Sequence, residues 1–204
     1  HVPHRTEING FMTVLHGDCR FYNNIFIQKP VRAGMEEIRK LTGDNEWDDG
    51  NLTAGTVPYS GYPTLEEYVA RFEGYCGMGS GKSPDLYYEK LPVWLCGNVY
   101  FNGAKPAEQE QDAVVDTEHE ITIGVKEENG KWKLETNVYD YLPQNSCAVI
   151  STETLGMAFE PEQKYENPDG TPIVFRYDYF GGNRDIHPLP GPFASKEAAE
   201  EALS

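Results

Sequence analysis

An asparagine set inside an apolar, β-branched run occurs twice in this chain, and that recurrence limits the fold more than any other feature. "YNNIFIQKP" at 22–30 and "CGNVYFNGAKP" at 96–106 align so that Asn24 falls opposite Asn98 and Ile25-Phe26 opposite Val99-Tyr100. An amide buried among such neighbours costs about 2 to 7 kcal/mol when left unpaired. Stacking identical asparagines in successive coils removes that cost, because each side chain bonds the amide or backbone of the next coil. The pattern therefore predicts an all-β chain with parallel coils stacked on one another and an inward column at Asn24 and Asn98. The competing reading puts both asparagines in turns.

Residues 11–15 and 20–27 read as strands on either side of the "HGDC" corner, since both are rich in aromatic and β-branched side chains. Between the two asparagine runs lies an insertion of different texture, about 31–90. It holds the acidic loop "TGDNEWDDGNLTAG" and the clearest helical signal, "TLEEYVARFEGYCG". Thr64 is a good N-cap and Glu67 completes a capping box. Leu65, Tyr68, Val69 and Phe72 recur at helical spacing, and Gly74 can close the end. That apolar stripe should pack over an open flank of the β layer. "GMGSGKSPD" lacks the glycine phase of a phosphate loop. From Ala113 onward the texture turns antiparallel. Glu128-Asn129-Gly130 marks a hairpin, and short strands are predicted at 147–151, 155–159 and 173–180. The last two are separated by the turn "NPDGTP". The resulting organisation is 1–112 as terminal coils with the inserted loop and helix, 113–194 as an antiparallel, sandwich-like region packed on the coils, and 195–204 as a tail with a short amphipathic helix.

Charge narrows the partners. Thirty-three acidic residues against 17 basic give a formal charge of −16 over 204 residues, which repels phosphate backbones and anionic lipid. Nucleic acid and membrane are disfavoured, no apolar run has membrane-spanning length, and a neutral glycoside fits better. The amino end, "HVPHRTEI", carries neither an initiator Met nor a signal-peptide apolar core, so the chain is expected to start inside a longer reading frame. Compartment, cytoplasmic or exported, stays open. Cys19, Cys76, Cys96 and Cys147 show no CxxC pairing, which weighs against zinc ribbons and thioredoxin-like chemistry and favours four lone small hydrophobes. Two disulfides in an exported protein remain the alternative.

"HVPHRTEINGFMTVLHGDCRFYNNIFI", "GNVYFNGAKP" and the closing "YFGGNRDIHPLPGPF" together resemble the carboxyl-terminal part of the β-xylosidases of glycoside hydrolase family 120. The resemblance runs through most of the chain and is specific mainly in its first thirty or so residues. It implies a right-handed parallel β-helix core and retaining hydrolysis of xylosides, releasing xylose from xylo-oligosaccharides. It also implies that the catalytic aspartate and glutamate sit on coils preceding this chain.

Retaining glycosidases need two carboxyl groups about 5 to 5.5 Å apart. Within the chain only Glu7 and Asp18 stand near the amino-terminal coil motif, as candidates for catalytic or sugar-contacting roles. Asp18 also has a corner-capping reading in "HGDC". His4, Arg5, His16 and Asp18 are the substrate-binding candidates. Imidazoles bond sugar hydroxyls and hold carboxylates, and Arg5 can grip a carboxylate bidentately. The histidines His1, His4 and His16 fit no zinc spacing, and local structural bonding competes with both roles. Trp47, Trp94 and Trp132 with 13 tyrosines offer stacking platforms for sugar rings, although aromatics at strand spacing are mostly core. Asp44, Glu46, Asp48 and Asp49 alternate as calcium ligands do, so calcium is the one cofactor considered. A solvated acidic loop competes, because the glycine falls one residue late for an EF-hand.

The expected partners are a xylo-oligosaccharide or other neutral glycoside and the preceding part of the same enzyme. Two coils alone leave a parallel edge unpaired, and stacked repeats need three or more units. A homo-oligomer would cover that edge too. From a different class, the alternative is a non-catalytic carbohydrate-binding or assembly module acting through exposed tryptophans after Ala113. A polysaccharide lyase would need basic groups that so acidic a composition does not favour.

Overall fold

The computed structural model describes residues 17–29, 61–71, 73, 90–144, 147–158 and 163–203. Two short strands open the described chain, β1 (Cys19–Tyr22) and β2 (Ile25–Ile27). Helix α1 (Leu65–Ala70) follows, and then β3 (Val93–Cys96), β4 (Val99–Phe101) and β5 (Val114–Val115). β1 pairs parallel with β3, Cys19 opposite Val93, and β2 pairs parallel with β4, Ile25 opposite Val99. The same direction continues into β5, where Val99 faces Val114, and into a parallel bridge between Cys96 and Gln111. Three parallel layers therefore stack at 19–27, 93–101 and 111–115, in the register expected from the aligned asparagine runs.

Each layer bends between its two strands at a left-handed residue. Asn23 (φ 56°), Gly97 (φ 64°) and Asp112 (φ 52°) occupy the equivalent corner. Glycine and the short Asx side chains adopt that conformation at least cost. This separates the roles of the asparagine pair: Asn23 turns the chain and Asn24 faces inward. Asn98 is fully buried. Its Oδ1 accepts from the Asn24 backbone N–H (2.8 Å) and from Asn24 Nδ2 (2.9 Å). Its Nδ2 donates to Phe21 O (2.9 Å) and to Glu110 Oε1 (2.7 Å). The third layer has Ala113 at the next register position, and the Glu110 carboxylate ends the column there.

Alternation along β2 and β4 builds the main core. Val99 and Phe101 are buried with Ile121 and Val138, and Ile25 and Ile27 pack against them. On the other side Phe26 stacks on Tyr100 with ring centroids 5.0 Å apart. A second cluster of Val93, Leu95 and Ala107 receives Phe21 and, from the insertion, Tyr62.

The capping box at α1 forms as expected, with Thr64 and Glu67 bonding reciprocally. Arg71 serves as its C-cap; Phe72 and Gly74 lie outside the described residues. The apolar stripe does not pack as expected, because Tyr68 is buried while Leu65 and Val69 are exposed.

Past β5, the strands β6 (Ile123–Glu128) and β7 (Lys131–Thr136) form the expected hairpin, with Asn129 (φ 54°) and Gly130 (φ 75°) both left-handed as a tight turn demands. A 3₁₀ turn (Val138–Asp140) and helix α2 (Thr152–Leu155) come next, then β8 (Met157–Ala158) paired antiparallel with β9 (Gln163–Lys164), and finally α3 (Lys196–Ala199) and β10 (Ala202–Leu203). Three sequence expectations are corrected here. The run 147–151 contributes one bridge, Ser151 to Val174, because Ser151 is instead the N-cap of α2 and shares a capping box with Thr154. Leu155 belongs to that helix, so the strand begins at Met157. Residues 173–180 join their neighbours through isolated bridges rather than a continuous strand. The turn before them forms, held by Asn167 N–H to Thr171 O reciprocated at Gly170. The tail is helical for one turn only, and β10 then adds to β7 to make the order β10-β7-β6. Val125 and Trp132, on one face of the hairpin, are exposed, so this antiparallel ribbon lacks the one covered apolar face that a sandwich strand has.

Candidate functional site

Asp18 and Arg20 stand where the parallel layers meet the carboxyl-terminal segments. Asp18 is left-handed (φ 52°), and its backbone N–H donates to Pro92 O. Gly17 before it lies so close to Leu91 that a Cβ would overlap the Leu91 carbonyl. The Asp18 carboxylate accepts from Arg20 Nη1 at 2.8 Å, with the Arg20 side chain only 7% exposed and that of Asp18 20%. Arg20 spreads its remaining donors over Leu155 O (2.6 Å), Met157 O (2.7 Å) and the Tyr165 hydroxyl (2.9 Å). Its guanidinium lies 4.2 Å from the Trp94 ring centre and 4.7 Å from that of Tyr165. Five donors in a planar fork suit this array, and a lysine could not serve it.

Beyond Arg20 opens a cavity of about 920 Å³. Tyr22, Asn23 and Ile25 line one side; Tyr139, Phe175, Tyr177, Tyr179 and Arg184 line the other. Such a mostly apolar wall with few polar groups is the usual composition of a small-molecule site. The Tyr139 hydroxyl is buried there without a hydrogen-bond partner of good geometry among the described residues. Burial pushes its pKa up to about 12, against the opposing influence of the Phe193 backbone and Arg184. Arg184 donates to Tyr177 O, Leu189 O and Gly191 O, and burial lowers its pKa. Asp178 fixes the loop that carries this wall by accepting from the backbone N–H groups of Phe180, Gly182 and Ala194. Burial alone would raise its pKa, but those three donors outweigh burial and lower it. Phe193 stacks on Phe180 (5.5 Å) and meets Tyr179 edge-on (5.9 Å), which stiffens the same wall.

Of the residues singled out from the sequence, the structure places Asp18 against Arg20 at the cavity's edge. His4, Arg5, Glu7 and His16 lie outside the described residues, as do the calcium candidates Asp44, Glu46, Asp48 and Asp49. Trp94 packs on Arg20, and Trp132 is exposed on the hairpin. Arg20, Tyr139 and Arg184 were not anticipated. Arg20 sits inside a strand-like run where alternation marks it only as polar; Tyr139 is positioned by Phe193, far away in sequence, and Arg184 by carbonyls of the irregular segment around it, where no periodicity marks it. The cysteines hold a second surprise: Cys96 and Cys147, read as lone hydrophobes, come together with Asp112. The three potential ligand atoms all lie within 4.8 Å of one another. Burial first, and then the neighbouring Cys96, Asp112 and Glu110, push the Cys147 thiol up to about 12.

No protein-family model matches the chain, and no curated protein matches it. A solved structure does: the complex of XylC with xylose, at 27% sequence identity and a TM-score of 0.63, over 92% of this chain and 26% of that one. The chain thus shares its mostly β architecture with a segment of a xylose-bound protein and spans about a quarter of that protein's length. Among the described residues no helix is long and apolar enough to cross a membrane.

Proposed function

We propose that this chain is part of a retaining glycoside hydrolase of the β-xylosidase type, similar to glycoside hydrolase family 120, acting on xylo-oligosaccharides or related neutral glycosides. The observation that carries the proposal is the likeness to XylC in complex with xylose across nearly the whole chain. The three parallel layers and the asparagine column support a second element of it, that these layers are the end of a right-handed parallel β-helix. The catalytic Asp/Glu pair then lies on preceding coils of the same enzyme, which cover the free side of β1 and β2. His4, Arg5, Glu7, His16 and Asp18 approach the sugar from this side. Asp18 does so while it holds Arg20.

The test is replacement of His16 or Asp18 by Ala in the full-length enzyme with an aryl xyloside as substrate. A fall in kcat or a rise in KM supports the placement, and unchanged turnover removes those residues from the site. One observation favours a second reading, a non-catalytic carbohydrate-binding module: Trp132 is 51% exposed on the hairpin, with Phe175, Tyr177 and Tyr179 also exposed. Calorimetric titration of the chain with xylobiose, beside a hydrolysis assay of the full-length protein, separates the two. Binding lost in Trp132→Ala, with no hydrolysis by the longer protein, supports the module.

A further inference from the structure

We propose that Cys96, Cys147 and Asp112 form a binding site for a single thiophilic divalent cation, with Zn²⁺ the natural occupant. Two thiols and a carboxylate from three separate segments converge so that their ligand atoms all lie within 4.8 Å of one another. Cys96 Sγ lies 3.9 Å from Asp112 Oδ2. Tetrahedral zinc draws sulfur and oxygen ligands to about 2.0–2.3 Å from the metal, so small side-chain rotations close the set.

The backbone holds the first two ligands in place independently of any ion. Cys96 ends β3, bridges Gln111 in the next layer, and is followed by Gly97, whose N–H donates to Gln111 O at 2.9 Å. Asp112 occupies the stacked left-handed corner directly after Gln111. Cys147 arrives on a segment anchored at Val149, whose N–H donates to Ile186 O at 3.0 Å.

The donor set selects the ion. Two thiolates discriminate against magnesium and calcium, which take oxygen, and favour zinc among the available divalent metals. Two thiolates and one carboxylate leave one tetrahedral position for water. The site carries one net negative charge when filled, both thiols giving up their protons as the ion binds. The ion would clamp the third parallel layer to the carboxyl-terminal segment. This reading does not depend on the sugar proposal.

The test uses the intact chain, reduced and stripped of metal, titrated with Co²⁺ as a spectroscopic probe and then with Zn²⁺ in competition. One equivalent of Co²⁺ should give thiolate-to-cobalt charge-transfer absorption, and Zn²⁺ should displace it. Cys96→Ser and Cys147→Ser should each abolish the band, Asp112→Asn should weaken binding at least about tenfold, and Cys19→Ser should leave it intact. Zn²⁺ should also raise the Tm of the unmutated chain and a chelator should reverse the rise, a readout that needs no variant to fold. Absence of charge transfer at one equivalent, its survival in either cysteine variant, or isolation of the protein with Cys96 and Cys147 joined as a disulfide would overturn the site.

Discussion

Asn98 is the residue on which the parallel layers most depend. It is fully buried and bonded to Asn24, Phe21 and Glu110, so Asn98→Ala removes a partner from the Phe21 carbonyl, from the Asn24 N–H and from the Glu110 carboxylate, which keeps the backbone N–H of residue 98 and the Tyr100 hydroxyl. Lost partners of buried polar groups cost about 1–3 kcal/mol each, more when one is charged. Urea denaturation should therefore show Asn98→Ala less stable by about 3 kcal/mol or more, against about 1 kcal/mol for the half-buried Asn24→Ala. Arg20 makes a parallel case. Arg20→Lys keeps the charge but loses the planar fork that reaches Asp18, Leu155, Met157 and Tyr165 at once. It should lower the urea midpoint nearly as far as Arg20→Ala, an outcome that simple charge pairing does not give. Asn24 and Asn98 were legible in the sequence because a polar residue in an apolar run demands a partner. Arg20 was not, because its carbonyl acceptors come from more than a hundred residues away and no local pattern marks them.

At the scale of elements, the parallel strands were readable because two similar runs had to pair in one register. The segments after Ala113 were less so, because strands of two residues leave almost no periodicity to read. Capping chemistry decided where propensity did not. Ser151 starts α2 within what alternation alone marks as strand, and Ser151→Ala should cost about 1 kcal/mol in chemical denaturation. The entry to β1 is tighter. Gly17 (φ 138°) abuts Leu91, and a methyl group there must push two parallel layers apart. Gly17→Ala should cost at least about 2 kcal/mol, whereas Gly130→Ala at the open hairpin turn should cost about 1 kcal/mol from φ alone.

For the whole molecule, four tyrosines, in the parallel layers and in the segments that follow, respond to alkali in the same direction. Burial raises the pKa of Tyr22, Tyr100, Tyr139 and Tyr165, with Tyr139 reaching about 12. A group whose folded pKa is raised stabilises fully below its unfolded value, here the ordinary tyrosine value of about 10, and loses that contribution as pH climbs through the folded value. Stability measured by Tm should hold to about pH 9 to 10 and then fall, with the tyrosinate absorption of these four residues appearing only as the fold opens. Tyr139→Phe should flatten that fall. In acid the opposite sign applies to Asp178. Its depressed pKa contributes above the usual carboxylate range and is lost as pH drops, which loosens the cavity wall first. Finally, the asparagine column is polarised. Asn24 donates to Asn98, Asn98 donates to Glu110, and the last acceptor is an anion with nothing left to give. At the opposite end Asn24 gives its backbone N–H and Nδ2 inward, and among the described residues its side-chain Oδ1 receives no donor. The stack consequently has a direction: a further layer can be added beneath Asn24 by offering one N–H to that oxygen, whereas at the other end Glu110 can only accept, so the donor-to-acceptor chain stops there.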